Sequence, residues 1–300
     1  MALTVVLADG TVITTGSRTR KSAAGYDLTH LFVGAEGTLG IVTEATLRVY
    51  SVPADTAALI CSFDAVGQAT GVVYEVLKRE IPVARVELID ATTMAAINAY
   101  TGSDFAVQPT VIFELTGSPT TVAEDVEVVA ALAGAAGAHG IRSATDPDEV
   151  ARIWAARADV LPSTAALVPG ASTWSTDVCV PISRLAECIE LTEADVAASG
   201  LLAPIVGHVG DGNFHLAIVL PPGDEETHRR AVALNERLVD RALAMDGTCT
   251  GEHAVGVGKV AALAREHADS LPVMAAIKTA LDPTHLLNPG VVLADPSVTR

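Results

Sequence analysis

Basic residues are scarce in this chain. Its 300 residues contain 19 lysines and arginines against 36 aspartates and glutamates, which gives a formal net charge of −17 at pH 7. Nucleic acids and anionic lipids are themselves negative, so electrostatics disfavours both as partners. We therefore expect no nucleic-acid partner, whereas a basic protein partner stays compatible with this charge.

Cysteines and long apolar runs are also few. The four cysteines are scattered, and no two of them have Cys-x-x-Cys spacing. This usage fits reduced thiols, and we expect a cytoplasmic protein. The longest small-apolar stretch, residues 128–138, is short and interrupted by glycine. We therefore expect no transmembrane segment.

The residues that are present predict a folded α+β protein. Hydrophobic residues make up 50% of the chain, which is enough for a sizeable core. Residues 1 to about 50 have strand patterns with glycine turns, and from about residue 57 strands and helices alternate. An antiparallel sheet with helices on one face is the natural architecture for this order.

The predicted elements come from alternation, helical periodicity and the positions of glycine and proline. The predicted strands are 3–7, 11–15, 45–50, 58–63, 84–89, 110–115 and 174–180, and the predicted helices are 65–79, 91–100, 120–135, 147–158, 182–198 and 224–244.

Two histidines bracket a tight glycine-rich turn. Residues 207–215 read Gly-His-Val-Gly-Asp-Gly-Asn-Phe-His, between two apolar segments that predict strands. If the loop is residues 210–213, His208 faces His215 across the ladder, with β-carbons roughly 5 Å apart. Two imidazoles at that spacing suit one divalent ion, although two histidines beside a hairpin are more often ordinary surface or core residues.

A third histidine lies beside an acid in another glycine-rich loop. Glu252 and His253 stand between Gly251 and Gly256, with no apolar periodicity to account for them. A carboxylate suits the third ligand position of a catalytic zinc-type site, which leaves the fourth position for substrate. His253 can then act as a base. The same set also fits a metal-dependent hydrolase with Glu252 or His253 as its base.

The segment 34–40, Gly-Ala-Glu-Gly-Thr-Leu-Gly, also permits two interpretations. Glycine-rich turns between strands are usually only turns. The functional alternative is backbone that lies close against a flat or pyrophosphate-bearing cofactor. The segment matches neither the Walker phosphate loop nor the Rossmann fingerprint, so any nucleotide is bound in another way.

Taken together, these motifs resemble one family. The chain is similar to the C-terminal portion of FAD-linked D-2-hydroxy-acid dehydrogenases with the vanillyl-alcohol-oxidase fold, a family that includes D-lactate dehydrogenase (cytochrome) and the flavoprotein component of glycolate oxidase. The likeness is strongest to these two members. The motifs that carry it are the histidine hairpin, the Glu252-His253 pair and the segments 24–28, 34–43, 85–90, 153–157, 176–185 and 287–290.

The resemblance implies a role for each site residue. It makes His208, His215 and Glu252 ligands of a divalent metal, zinc or manganese, and His253 the catalytic base. Arg157 would grip the substrate carboxylate, because a planar guanidinium suits that task better than lysine. Asn213 would also bind the substrate. The residues placed on the FAD are Gly25, Gly34, Glu36, Gly37, Thr38, Gly40, Ile41 and Asn288.

The implied reaction is the oxidation of a small D-2-hydroxy acid, D-lactate first and glycolate next, to the 2-keto acid. His253 would take the hydroxyl proton while hydride passes to flavin N5. The reduced flavin would pass its electrons to a separate acceptor, which is a cytochrome, a quinone or an electron-transfer flavoprotein. That acceptor would bring the protein to the periphery of a membrane.

The resemblance also divides the chain. Residues 1–52 would be the C-terminal part of an FAD-binding domain, 53–292 an FAD-linked oxidase C-terminal domain, and 293–300 a tail. Family members hold the FAD pyrophosphate with a long segment that precedes the part seen in this sequence. We expect a longer form of this chain, or a separate chain, to supply it. The alternative is a truncated metal-binding accessory module without redox activity of its own.

Overall fold

The computed structural model describes residues 1–295, so residues 296–300 of the predicted tail lie outside the described residues. Contacts divide the chain into two units, each with its own sheet. Val52–Gly251 form one unit, which we call the central unit. Met1–Ser51 and the chain from Glu252 onward form the other, which we call the split unit.

The elements are numbered in chain order. The strands are β1 (Ala2–Val6), β2 (Val12–Gly16), β3 (Ile41–Thr46), β4 (Asp55–Ser62), β5 (Val83–Ile89), β6 (Thr110–Gly117), β7 (His139–Ala144), β8 (Ser172–Ser175), β9 (Val178–Cys179), β10 (Ile205–Gly207) and β11 (Asn213–Leu220). The helices are α1 (Leu28–Phe32), α2 (Val66–Lys78), α3 (Ala91–Thr101), α4 (Pro119–Ala135), α5 (Pro147–Ala158), α6 (Val160–Ala166), α7 (Leu185–Ser199), α8 (Glu225–Ala244), α9 (Val260–Glu266) and α10 (Leu271–Leu281), with a short 3-10 helix at Ile182–Arg184.

The split unit contains a three-stranded antiparallel sheet in the order β2-β1-β3. The predicted β1–β2 hairpin is confirmed, and its turn is closed by a 2.9 Å hydrogen bond from the Thr11 amide to the Asp9 carboxylate. The third strand, predicted at residues 45–50, instead covers Ile41–Thr46. It begins immediately after Gly40, and its ladder with β1 ends where Thr46 lies opposite Ala2.

The central unit is built on an antiparallel sheet of eight strands. The main order is β7-β4-β6-β5-β10-β11-β8, and β9 pairs with the start of β11. The strand pairs that the structure describes are all antiparallel. The predicted α+β class with an antiparallel sheet is therefore confirmed. The strand predicted at 174–180 is split into β8 and β9, which pair with different parts of β11.

Helices cover both faces of this sheet. One face carries a core cluster of Ala58, Ile60 and Ile112 from the strands with residues of α3, α5 and α6. The alternate strand residues, such as Leu59 and Phe113, are equally buried. Their face is covered by α2 and α4, which pack against each other, and α7 joins α2. The strand residues that face each side of the sheet are apolar, so both faces need a layer of helices. The sequence predicted helices on one face only.

Helix starts in the central unit follow local signals. Pro147 occupies the first turn of α5, and the Asp146 side chain accepts hydrogen bonds from the amides of Asp148 and Glu149, so the predicted helix 147–158 is confirmed. Asp90 caps α3 in the same way and also accepts a 2.8 Å hydrogen bond from the Ile205 amide. Through Asp90 the end of β5 is tied to β10, the strand that leads into the histidine hairpin.

Candidate active site

The histidine hairpin is present, but its register differs from the predicted one by two residues. Val206, rather than His208, lies opposite His215 in the β10–β11 ladder. The turn is closed by a 3.3 Å hydrogen bond from the Asn213 amide to the His208 carbonyl, so residues 209–212 form the loop. The predicted pairing of residue 209 with Phe214 is therefore wrong.

Tertiary packing explains this shift. Val209 is fully buried, so it points into the core instead of extending the ladder. The Val180 amide donates a 3.0 Å hydrogen bond to the Gly212 carbonyl, which holds the loop against the segment after β9. Gly212 has φ of +79°, and a Cβ there would lie 2.1 Å from the Val180 carbonyl oxygen, so this position needs glycine.

The two imidazole rings still meet. A register shift of two residues leaves side chains on the same face of a ladder, because the side-chain period of a strand is two. The ring centroids of His208 and His215 are 5.6 Å apart, and their planes are inclined by 81°. The convergence expected from the sequence is present, although the two residues are diagonal neighbours rather than directly opposite.

Each ring is oriented by a hydrogen bond at Nδ1. His208 Nδ1 lies 2.5 Å from Oε1 of Glu87, and His215 Nδ1 lies 2.8 Å from the Thr176 carbonyl oxygen. A carbonyl oxygen can only accept, so His215 donates through Nδ1, and its neutral imidazole then has the lone pair on Nε2. A metal-bound imidazole commonly has such a partner on its other nitrogen, so these two residues fit a divalent metal.

Asn213 is fixed beside the histidines. Its Nδ2 donates hydrogen bonds of 2.8 Å to the Asp177 carboxylate and to the Val178 carbonyl. Asn213 is buried, and its Oδ1 has no hydrogen-bond partner among residues 1–295. The other Asp177 oxygen accepts a 2.7 Å hydrogen bond from Thr250 Oγ1. The amide therefore presents one buried acceptor in a fixed orientation.

Arg157 is linked to the histidine hairpin through Glu87. Its Nε donates a 2.9 Å hydrogen bond to Oε2 of Glu87, whose other oxygen contacts His208. Glu87 is only 5% exposed. The terminal nitrogens of Arg157 have no hydrogen-bond partner among the described residues. The structure thus brings together four predicted residues of the central unit, namely Arg157, His208, Asn213 and His215.

Glu87 and Asp177 were not among the site residues predicted from the sequence. Both lie in segments that carried the family resemblance, but their partners are remote, since Glu87 is 121 positions from His208 and 70 from Arg157. One signal was available: Glu87 is an acid between Val86 and Leu88 in a strand that is otherwise mostly apolar. A charged residue inside a buried strand needs a partner, which marks it as a site candidate.

In the split unit, the glycine-rich loop is held by hydrogen bonds. The Glu36 carboxylate accepts 2.8 Å hydrogen bonds from the amides of Val255 and Gly256, and Asn288 Nδ2 donates a 2.6 Å hydrogen bond to the Glu36 carbonyl. Glu36 has φ of +52° and Asn288 has φ of +42°. Three segments that are remote in sequence therefore meet around Glu36.

Four glycines, three in this loop and Gly25 before it, differ in what a Cβ would contact. A Cβ at Gly37 would lie 2.8 Å from Asn288 Nδ2, and one at Gly40 would lie 2.5 Å from Val5 Cγ1. Packing within the split unit thus accounts for these two. At Gly25 and Gly34, φ is +89° and +81°, and a Cβ would meet no described heavy atom within 4 Å. Gly25 and Gly34 therefore leave their backbone open to the close approach of a ligand.

Lys278 supports the same loop from α10. Its Nζ donates 2.8 Å hydrogen bonds to the carbonyls of Thr38 and Leu287 and pairs with the buried carboxylate of Asp282. Burial alone would raise the pKa of Asp282, but hydrogen bonds from Lys278 and from the amides of Leu286 and Leu287 lower it to about 2. A buried ion pair therefore connects the loop to the segment before Asn288.

Glu252 and His253 lie at the start of the second part of the split unit. Their side chains are half-exposed, and His253 Nε2 is 3.7 Å from Glu252 Oε1. Ala254, the next residue, has φ of +69°, which only a few non-glycine residues adopt. The roles predicted for this pair stay predictions.

The family is established by comparison with known proteins. The sequence profile of the FAD-linked oxidase C-terminal domain matches residues 52–292. The chain therefore belongs to the FAD-linked oxidase family. Solved structures agree on the fold: 4-ethylphenol oxidase from Gulosibacter chungangensis superposes with a TM-score of 0.76 at 16% identity, over 99% of this chain and 66% of that one. For p-cresol methylhydroxylase the TM-score is 0.69 at 18% identity, over 100% and 66%.

Curated relatives are similar at higher identity. The protein named probable D-lactate dehydrogenase, mitochondrial, from Danio rerio is 47% identical over 97% of this chain and 59% of its own length. D-lactate dehydrogenase [cytochrome], mitochondrial, from Arabidopsis thaliana is 42% identical over 98% and 52%, and glycolate oxidase subunit GlcD from Bacillus subtilis is 32% identical over 98% and 63%. The chain thus spans about half to three-fifths of these proteins.

The expected cytoplasmic location is wrong by this comparison. Four relatives, including the Danio rerio and Arabidopsis thaliana proteins, are named mitochondrial. Reduced cysteines do not distinguish a cytoplasmic from a mitochondrial protein, so the cysteine content could not indicate the location. Among the described residues, no helix combines the length and the hydropathy that a membrane span requires.

Proposed function

We propose that this chain provides the substrate- and metal-binding part of an FAD-dependent oxidoreductase that converts a small D-2-hydroxy acid, D-lactate first and glycolate next, to the 2-keto acid. The observation that carries this proposal is the buried carboxylate of Glu87, which joins His208 of the histidine pair to the Arg157 guanidinium. A metal-ligand pair beside a carboxylate-binding group suits a 2-hydroxy acid, and the names of the curated relatives support this substrate class.

His208, His215 and Glu252 would hold a divalent metal, zinc or manganese. The support is chemical: hydrogen bonds at Nδ1 leave Nε2 of each imidazole as the ligand atom. Glu252 follows Gly251 directly in the chain and supplies the carboxylate that two-histidine catalytic sites commonly add.

Arg157 would bind the substrate carboxylate. Its Nε is held by Glu87, so its two terminal nitrogens can donate in parallel to the two carboxylate oxygens. Asn213 Oδ1 is a fixed acceptor and would accept the hydrogen bond of the substrate hydroxyl until His253 takes that proton. When bound, flavin N5 would accept the α-hydrogen with its electron pair, and the metal would act as a Lewis acid on the substrate oxygens.

The flavin itself would lie against the split unit. Gly25 and Gly34 have positive φ and open space where a side chain would be, which permits close approach of a flat ring. The remaining flavin contacts would come from the glycine-rich loop, where Lys278 binds the Thr38 carbonyl, and from Asn288, which binds the Glu36 carbonyl. These residues are Glu36, Gly37, Thr38, Gly40, Ile41 and Asn288.

The domain bounds and the acceptor belong to the same proposal. Residues 1–52 would complete an FAD-binding domain, and residues 53–292 would form the substrate and metal domain. A separate cytochrome, quinone or electron-transfer flavoprotein would take the electrons from the reduced flavin, as the word cytochrome in the names of relatives suggests for those proteins.

The test is a visible absorption spectrum of the purified chain, incubated with FAD and Mn²⁺ and freed of unbound flavin. We expect retained flavin that bleaches without oxygen when D-lactate is added but not with L-lactate, and a His253→Asn variant that retains flavin without bleaching. Retained flavin that neither isomer bleaches would contradict the oxidation. Retained metal without retained flavin would favour the accessory module.

A further inference from the structure

We infer that Glu87 is a positioning residue that orients two parts of the site at once, the metal ligand His208 and the carboxylate-binding Arg157. Oε1 of Glu87 contacts His208 Nδ1 at 2.5 Å, and Oε2 accepts from Arg157 Nε at 2.9 Å. The inference rests on the proposed function, because that proposal assigns the roles of His208 and Arg157.

The placement of Glu87 follows from two periodicities. Arg85 and Glu87 are two residues apart on β5 and share one face of the sheet. Trp154 and Arg157 are three residues apart on α5 and share one side of that helix. Each strand residue contacts one helix residue. The Arg85 guanidinium lies 3.9 Å from the centre of the Trp154 ring, and Glu87 binds Arg157. A strand and a helix therefore fix the position of Glu87 through side-chain contacts.

Burial raises the free-energy cost of the Glu87 charge. A nearly buried charge needs a counter-charge and hydrogen bonds to both oxygens, because water no longer solvates it. Arg157 supplies the positive charge and one donor, and His208 supplies the other donor. Neither partner can turn away without leaving the carboxylate under-solvated, so each holds the other in place through Glu87.

Both partners gain a defined orientation. His208 donates through Nδ1 to the carboxylate, so its lone pair is on Nε2, the nitrogen that a metal would need. The Arg157 fork is anchored by Nε, so its two terminal nitrogens keep a fixed direction and have no other partner in the described part of the chain. A glutamine at position 87 would offer one acceptor oxygen for two donors, and its amide would face an N–H group.

Glu114 supplies a matched control. It is a second buried glutamate in the same sheet, and it pairs with Arg85 through two hydrogen bonds. Replacing it by glutamine also removes a buried charge from the sheet, but the remaining side-chain oxygen can still accept from Arg85, and the contacts of His208 and Arg157 stay intact. A general loss of packing should therefore affect Glu114→Gln and Glu87→Gln alike.

The test combines two readouts on the full 300-residue chain. Nitrogen-15 NMR of the metal-free protein reports which nitrogen of His208 carries the proton, and titration with Mn²⁺ gives the dissociation constant. We expect wild type to carry the proton on Nδ1. Glu87→Gln should lose this preference and bind Mn²⁺ about 10- to 100-fold more weakly. Glu87→Asp should recover part of the affinity, and Glu114→Gln should match wild type in both readouts.

The outcomes separate the two proposals. A wild-type chain that binds no Mn²⁺ contradicts the metal site, whereas the NMR result still decides the role of Glu87. A Glu87→Gln variant with wild-type Mn²⁺ affinity and an unchanged His208 proton overturns the inference. If Glu87→Gln does not fold, Glu87→Asp decides, since its carboxylate is one methylene shorter and should not reach His208 and Arg157 together. Wild-type values of both readouts in that variant would overturn the inference.

Discussion

Asn213 and Asp177 form a buried amide–carboxylate pair. Asn213 Nδ2 donates a 2.8 Å hydrogen bond to Asp177 Oδ1, and a second donation to the Val178 carbonyl uses the other amide hydrogen. The amide cannot flip without placing its oxygen against two acceptors. Its Oδ1 is therefore directed by the protein, which is the property expected of a group that recognises a substrate hydroxyl.

Asn213→Ala should lower kcat/KM for D-lactate. Removal of one buried hydrogen bond to a substrate is expected to lower kcat/KM for D-lactate by about 10- to 100-fold, roughly 1.4–2.7 kcal/mol. Asn98→Ala is the control, because Asn98 bonds both the carbonyl and the amide of Phe105 and has no proposed substrate contact. Equal kcat/KM losses in the two variants, measured by steady-state kinetics with an artificial acceptor, would refute this role of Asn213.

Arg157→Lys should raise KM for D-lactate by about 10- to 100-fold. A lysine is a single point donor and cannot bind Glu87 and both oxygens of a carboxylate together. Arg142→Lys is the matched control, since Arg142 forms a half-exposed pair with Glu149 in the same unit. Kinetics with D-lactate measure both variants. An unchanged KM in Arg157→Lys would remove Arg157 from the carboxylate site.

The Lys278–Asp282 pair predicts acid sensitivity. The pKa of Asp282 is lowered from its usual 3.8 to about 2 in the folded chain. The folded state therefore favours the charged carboxylate, and this stabilisation is present above pH 3.8 and is lost as the pH falls towards 2.

Asp282→Asn measures that contribution. The free energy of unfolding of wild type minus that of the variant, from urea denaturation followed by circular dichroism, should shrink as the pH is lowered from 5 to about 2.5. Asp269→Asn, at an exposed position of the same unit, controls for the change of net charge. A difference between wild type and Asp282→Asn that stays constant across this range would contradict the lowered pKa.

Gly40→Ala and Gly34→Ala should both lower stability, for different physical reasons. A Cβ at Gly40 would approach Val5 Cγ1 to 2.5 Å and the Val6 carbonyl to 3.3 Å, so overpacking should cost about 1–3 kcal/mol. At Gly34 only the positive φ is unfavourable for alanine, which costs about 1–2 kcal/mol. Gly34→Ala should in addition lose retained FAD, because its open backbone would contact the flavin ring. Thermal denaturation measures the loss of stability and the visible spectrum measures retained FAD, and intact flavin binding in Gly34→Ala would argue against the loop as a flavin contact.

Local signals in the sequence predict much of this fold. Helix α5 is found at the predicted residues because Asp146 and Pro147 define its start. The long α8 likewise begins after Asp224, which caps it by accepting from the Thr227 amide. Short helices without a side-chain cap were missed, namely α6 and α9, and so was α10, although it has a proline in its first turn. α6 and α9 bury apolar residues such as Val160 and Leu263, and no local pattern reports that tertiary packing.

The candidate site was predictable in its residues but not in its geometry. His208 and His215 are close in sequence, and their turn identifies them. Their register is set by the burial of Val209 and by the hydrogen bond between Val180 and Gly212, both of which depend on β9 and the core. Glu87 was missed for the same reason, since its two partners come from distant parts of the chain.

His208 and His215 are proposed to hold a divalent metal. Anomalous diffraction from crystals of the 300-residue chain grown with Mn²⁺ would locate this metal. We predict one strong peak at about 2.0–2.2 Å from Nε2 of both histidines, which disappears in His215→Ala crystals. Wild-type crystals at saturating Mn²⁺ without a peak at these two nitrogens would contradict the proposed metal site and the substrate chemistry that depends on it.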